Sequence, residues 1–274
     1  MQTRYRGHAT ALAAAARSSG FGLVLTLGGD GTVNEVVNGI LSGAAGSGRI
    51  PALAALPGGN ANVFTRAVGL PADPVDAAGQ ILQALATGRH RTIGLGRAGE
   101  RYFTFNAGLG LDAEVVRAVD GHRARGRAVT PALYIRMALR QYYRVTDRRR
   151  PALTLERGGH SPVGPLFLGI VSNTAPWTYL GRRPVYTNPG AAFDSGLDLF
   201  ALRSLPAVRI LCTLRQMLSA ERAPHGRSVV TLHDQAELVL RSTRPTALQV
   251  DGEYVGEYER VRFLAVPDAL RIIA

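Results

Sequence analysis

The stretch FGLVLTLGGDGTVNEVVNGIL, residues 21–41, constrains the fold more than any other part of the chain. Its opening apolar run, Leu23-Val24-Leu25-Thr26-Leu27, is short and β-branched enough to predict a buried strand. Gly28-Gly29-Asp30-Gly31-Thr32 then sets three glycines around one carboxylate. After this turn Val33, Val36, Val37, Ile40 and Leu41 recur at the spacing of one helix face. Strand, glycine turn and helix together present free backbone N–H groups and a helix N-terminus to an anion such as a phosphate. Glycine suits the turn because a side chain would hold a phosphate oxygen away from the backbone. Asp30 adds a carboxylate that could hold Mg²⁺ beside phosphates. A plainer reading exists: Thr32 and Glu35 form a T-x-x-E capping box, and glycines often only close a turn.

Composition removes several alternatives. With 274 residues, 46% hydrophobic and 19% charged, the chain can bury a full core and is globular. Its one cysteine, Cys212, excludes an internal disulfide framework and fits a reducing, cytoplasmic compartment; its apolar neighbours predict a buried thiol. All 32 basic residues are arginine, against 20 acids, for a net charge of +12. Without lysine the chain can build neither a Walker A loop nor a protein-kinase ATP strand. The charge favours an anionic partner: membrane surface, nucleotide or nucleic acid. No apolar run approaches the roughly 20 residues that span a bilayer, and no signal-like core opens the chain, so a soluble or peripheral protein is expected.

Along the chain, residues 1–20 read as one helix with no strand before it. After a Gly/Ser-rich loop, residues 51–56 read as a second short strand running into Pro57-Gly58-Gly59-Asn60-Ala61-Asn62-Val63-Phe64, with Asn60 as a candidate helix cap. Residues 73–87 form a helix stopped by Gly88. Texture changes near 90–100, where residues 102–112 alternate like a strand. Residues 122–150 hold nine arginines among Leu133, Ile135, Leu139, Tyr142 and Tyr143, which predicts a basic amphipathic helix. That helix either packs on the core with a solvated arginine face or docks to anionic lipid with its tyrosines at the interface. No nucleic-acid recognition motif accompanies the charge. Strands at 164–173, 229–232, 236–241, 247–250 and 261–266 surround a helix over 205–219. Asp251-Gly252 fits a hairpin turn.

Several of these segments together resemble one superfamily. GGDGT followed by Asn34-Glu35 is similar to the nucleotide loop of diacylglycerol kinase/sphingosine kinase-like lipid kinases, of NAD kinases and, more loosely, of phosphofructokinases. Thr3-Arg4-Tyr5-Arg6-Gly7-His8-Ala9 resembles the lipid kinases' Thr-x-x-x-Gly-x-Ala, whose Thr lies near ATP. The chain then lacks the family's opening strand and Asn-Pro turn, through a late gene start or a real loss. Pro57–Arg66 resembles Pro-x-Gly-Thr-x-Asn-Asp-Phe-Ala-Arg, with Asn60 in place of the Thr and Val63 in place of the Asp. A further family Asp aligns with Gly94. FNAGLGLDAEVV resembles the motif that opens the family's β-rich domain. Asp194-Ser195-Gly196 matches a segment that holds a structural Mg²⁺, which implies Asp194 with the carbonyls of Ala191 and Gly196 as ligands. Asp251-Gly252-Glu253 matches the family's Asp-Gly-Glu, which faces the glycine loop across a cleft.

The resemblance implies an α/β ATP-binding domain over 1–96 and a β-rich, antiparallel or sandwich-like domain over 97–274, with the extreme C-terminus docking back on the first. The expected nucleotide-binding residues are Thr3, Gly28, Gly29, Asp30, Gly31, Thr32, Asn34, Glu35, Gly59 and Asn60. Asp30, Asp251 and Glu253 are the expected catalytic residues, with Asp251 favoured as base and the two turn acids exchangeable. ATP and Mg²⁺ are the implied cofactors. The implied reaction moves a γ-phosphate to a lipid hydroxyl, diacylglycerol first among acceptors, at an anionic membrane surface. An edge strand could pair the chain into a homodimer. The alternatives are an NAD kinase-like enzyme and a non-catalytic nucleotide or lipid sensor; retention of Asp30, Asp251 and Glu253 argues against the sensor.

Overall fold

The computed structural model describes residues 1–43, 49–123, 125, 130–145 and 150–274. The chain forms two compact units, Met1–Leu95 with Val266–Ala274, and Gly96–Ala265. In chain order the first unit contributes α1 (His8–Ser18), β1 (Leu23–Gly28), α2 (Asp30–Leu41), β2 (Ala52–Pro57), α3 (Val63–Ala67) and α4 (Pro74–Ala86). Strand β3 (Arg91–Ala98) carries the chain into the second unit. There follow β4 (Arg101–Phe103), β5 (Asn106–Gly110), α5 (Leu111–Arg123), α6 (Pro131–Arg140) and a π-helical turn, Gln141–Val145. Next come β6 (Leu153–Arg157), β7 (His160–Leu166), β8 (Leu168–Ser172), β9 (Thr178–Leu180), β10 (Arg183–Val185) and β11 (Leu197–Leu202). The unit closes with α7 (Ala207–Gln216), β12 (Val229–Gln235) and β13 (Glu237–Val250), and β14 (Glu253–Ile272) returns the chain to the first unit.

In the first unit β1 and β2 run parallel, with Leu23 opposite Ala52 and Gly28 opposite Pro57. Ile272 of β14 adds a parallel pairing to Leu53. Helix α2 buries Val33, Val36, Val37 and Ile40, the face its periodicity predicts. Helices α1 and α2 touch backbone to backbone: a Cβ on Gly39 would lie 2.3 Å from the Thr10 carbonyl oxygen. Strand β1 departs from expectation. It is the edge strand, and Leu25 and Leu27 are exposed, so its apolar run does not mark a wholly buried strand. The first helix starts at His8 rather than Met1, because Gly7 takes a left-handed φ of 86° at the N-cap.

The second unit is an antiparallel sheet in the order β13-β5-β8-β11-β12, extended by β6 and β7. Alternation along β11 explains why it is buried throughout. Leu197, Leu199 and Ala201 join one core with Phe103, Leu109, Leu240 and Phe263, while Phe200 and Leu202 join another with Tyr142, Phe167 and Leu205. The expected two-faced alternation over 102–112 gives way to a break at Thr104-Phe105 and a wholly buried β5, covered on both sides. The expected strands over 236–241 and 247–250 are one strand, β13, with a register shift between Arg241 and Thr246. No single helix spans 122–150. Helix α5 ends at Arg123, Thr130 caps a new helix through the Leu133 N–H, and the rest of that stretch lies partly outside the described residues. Cys212 is exposed, not buried, because α7 turns Thr213 inward and leaves the cysteine's face outward.

Candidate functional site

The register of β1 on β2 brings two glycine turns side by side. Gly28 lies opposite Pro57, and the Gly58 N–H donates to the Gly28 carbonyl at 2.9 Å. A Cβ on Gly59 would stand 2.6 Å from the Gly29 Cα, so the turns meet backbone to backbone with no room for a side chain. Gly29, which has no side chain, stands at the N-cap of α2, so the start of that helix carries no side-chain cap from its own N-cap residue. Asp30 joins the turns a second way: its Oδ1 accepts the Phe64 N–H at 3.0 Å, at the start of α3. Asn60 is exposed at the tip, and Asn62, not Asn60, precedes α3. The Asn62 side chain clamps the Gly59 peptide, accepting its N–H at 2.8 Å and donating to its carbonyl at 2.9 Å. Thr3 is exposed in the segment ahead of α1.

Two expected nucleotide residues have other work. Asn34 is fully buried in α2, where its carbonyl groups accept from Asn38. Glu35 makes no capping box on its own helix. Its carboxylate accepts the Gly7 N–H at 2.6 Å and the Ala9 N–H at 3.1 Å, capping α1 instead. Arg17 reciprocates from α1, donating to the carbonyls of Ile40 and Ser42 at the end of α2, both at 2.9 Å. Each helix therefore holds a terminus of the other.

In the second unit, Asp251 and Gly252 form the β13–β14 turn with φ of 47° and 76°, the doubly left-handed geometry of a tight hairpin. Asp251 is buried. Its carboxylate accepts at least four hydrogen bonds: Thr104 N–H and hydroxyl at 2.7 and 2.9 Å, Phe105 N–H at 3.0 Å and Asn106 N–H at 3.1 Å. A carboxylate offers about four acceptor sites. So employed, Asp251 is poorly suited to take a proton from a substrate, and the favoured base assignment does not fit this geometry. Glu253 is partly exposed and ion-paired to Arg101 at 3.1 Å.

Around the turn stand residues that the motifs did not flag. Gln249 is buried, and its amide donates to Asn106 Oδ1 at 2.8 Å and Asp112 Oδ2 at 2.9 Å while accepting the Gly252 N–H at 2.9 Å. Burial pushes the Asp112 carboxyl up to about 6, against the smaller opposing pull of the Gln249 hydrogen bond. A Cβ on Gly108 would fall 2.2 Å from Asp112 Oδ2, so the glycine of FNAGLGLD makes space for that carboxyl. Only the glycine spacing hinted at this; a glutamine inside a strand carries no signal of its own.

The expected Mg²⁺ ligands do not assemble. Asp194 is exposed, the Ala191 carbonyl accepts the Ala175 N–H at 3.1 Å, and the Gly196 carbonyl accepts the Ser195 hydroxyl at 3.2 Å. Asp198 of the next strand is buried and spent on His233 Nδ1 at 2.8 Å and the Asp234 N–H at 3.0 Å. That contact raises the His233 pKa. Among the described residues no group of three His, Cys, Asp or Glu side chains could hold a metal. The 191–196 turn is closed by hydrogen bonds of Ser195 to Ala192 and Gly196.

Residues 1–98 match the family described as the diacylglycerol kinase catalytic domain. Diacylglycerol kinases of Staphylococcus aureus strains bovine RF122 / ET3-1 and JH9 are 27% identical over 255 residues, covering 92% of this chain and 74% of theirs. The structure of a diacylglycerol kinase from Bacillus anthracis str. Sterne superposes with a TM-score of 0.67 at 17% identity, over 100% of this chain and 83% of that one. A second structure from the same organism reaches a TM-score of 0.73 at 20% identity, over 99% and 83%. These superpositions establish the shared fold.

Proposed function

We propose that the chain is a lipid kinase like the diacylglycerol kinases it resembles, and that it transfers the γ-phosphate of Mg·ATP to a lipid hydroxyl, with diacylglycerol as acceptor and phosphatidic acid as product. The observation that carries the nucleotide half is the joined pair of glycine turns beside the uncapped start of α2. Phosphate oxygens would take the first-turn N–H groups of Gly31 and Thr32, with Gly28, Gly29 and Gly59 keeping side chains out of the way. Thr32, Asn60 and Thr3 supply side-chain donors. Asp30, tied to the start of α3, is the carboxylate of these turns that can reach the magnesium carried in with ATP.

On the acceptor side Glu253 takes the proton of the lipid hydroxyl, and Arg101 fixes its orientation. The hydroxyl oxygen bonds to the γ-phosphorus as the bond to the β,γ-bridging oxygen breaks, and ADP leaves. Asp251 acts through the turn: by gathering the amides of residues 104–106 it sets where Glu253 stands. Catalysis of this kind is mostly positioning and charge neutralisation. The enzyme would meet its lipid from the cytoplasm, as a peripheral protein; among the described residues no helix is long and apolar enough to cross a membrane.

The test is transfer of labelled phosphate from Mg·ATP to diacylglycerol in anionic mixed micelles, with NAD as a parallel acceptor. Label in the lipid phase supports the reading. Label in NAD, or nucleotide binding without transfer, would overturn it.

A further inference from the structure

Helix α7 presents its apolar side to solvent. Val208 and Leu211 are 75% and 70% exposed, and Leu214, three residues further on, is 49% exposed. Three residues apart, they share one face. The opposite side packs inward: Thr213 is buried and Ile210 joins the cluster of Phe167, Phe200 and Leu205. The β9–β10 hairpin is tied to the same helix, through the Tyr186 N–H to the Met217 carbonyl at 2.7 Å, and shows Leu180 at its tip. The same two segments carry exposed Arg182, Arg183 and Arg215, with Arg203 and Arg209, which donate to the Gly164 carbonyl and the Ser228 hydroxyl, also exposed, and neither 176–190 nor 203–220 contains an acid.

We propose that α7 and the β9–β10 hairpin form the surface by which this protein docks on an anionic lipid bilayer. Segments that combine exposed apolar side chains with arginines and no acid are complementary to acyl chains behind a layer of negative headgroups. Arginines near such a surface are drawn to its headgroups, and each Val or Leu that enters the acyl layer adds apolar burial. A basic protein partner would be repelled, and an acidic protein surface would leave the ridge unmatched. Helix α4 shows the contrast: Val75 and Leu82 are similarly exposed, but that helix opens on two acids, Asp73 and Asp76, with Val75 between them.

The surface also has a use for the chemistry proposed above, on which this inference rests. Trp177 packs against the same cluster as Ile210, and its carbonyl accepts the Asn106 side-chain amide at 3.0 Å. The Asn106 backbone N–H donates to Asp251. The docking layer is thus joined by packing and two hydrogen bonds to the turn that positions Glu253, so a lipid can be engaged where it already lies.

The test is co-sedimentation with phosphatidylcholine vesicles, with and without phosphatidylglycerol and in the absence of ATP. Wild type is compared with Val208→Glu/Leu211→Glu and with Leu82→Glu, all at solvent-exposed positions. Expected are preference for the anionic vesicles, a loss of roughly 10-fold or more in the double variant, and little change in Leu82→Glu. Unchanged binding by the double variant, or equal binding to both vesicle types, would overturn the proposal. So would loss of a dimer by light scattering with vesicle binding intact, which would assign the face to a second copy. Because binding is read without turnover, a failed kinase assay leaves this result standing. Transfer to vesicle lipid that survives the double variant would refute docking while preserving the kinase.

Discussion

Glu35 and Arg17 show how single side chains set the geometry of the first unit. Each caps the other's helix, so Glu35→Ala should lower stability by about 1–2 kcal/mol in urea unfolding. Thr32→Ala should cost much less, since no box joins it to Glu35. The capping box was legible in sequence as a pattern, but it lost to a tertiary partner, the start of α1, that local spacing cannot reveal. Asp112 gives a pH signature. Its folded-state value of about 6, above the ordinary 3.8, means that folding favours the protonated acid. Its penalty is therefore absent at low pH and grows as pH rises from about 4 through 6. Asp112→Asn, which keeps an acceptor for Gln249, should raise stability at pH 7–8 by roughly 1–3 kcal/mol and flatten that slope. His233, raised by Asp198, also favours the acid side: its contribution is present below the ordinary histidine value and fades as pH rises through the raised one.

Among the elements, the paired glycine turns matter most. Strand, turn and helix were each readable at 21–41 and 51–64. That the turns touch was not, because contact depends on the parallel register that sets Gly28 opposite Pro57. Gly59→Ala would drive a methyl against the Gly29 backbone. We expect at least a 10-fold loss of ATP affinity in equilibrium binding, with the second unit's near-ultraviolet signal unchanged; wild-type affinity would show that the turns can separate freely. The arginine-rich stretch 122–150 misled as a pattern because charge and apolar spacing continue past the end of α5 to Thr130 and Pro131, which mark a new helix start. The exposed face of α7 was hidden for the opposite reason: its Leu/Val/Ile content reads as core wherever the neighbouring surface is unknown.

For the whole molecule, the α/β-plus-β-rich fold was legible from four spaced motifs, and the assignment of roles within the acid pair was not. Sequence shows two carboxylates flanking a glycine. Structure shows the Asp251 carboxylate enclosed by the donors of residues 104–106 and Glu253 partly exposed and ion-paired to Arg101. Asp251→Asn should therefore lower stability as well as activity, since it places an NH₂ against backbone donors. The most direct test of the account is the rate of labelled phosphate transfer to diacylglycerol by Glu253→Gln, measured alongside its ATP affinity and urea midpoint. The account predicts a kcat lower by about 10²–10⁴ with affinity and midpoint unchanged. Transfer at the wild-type rate would contradict it.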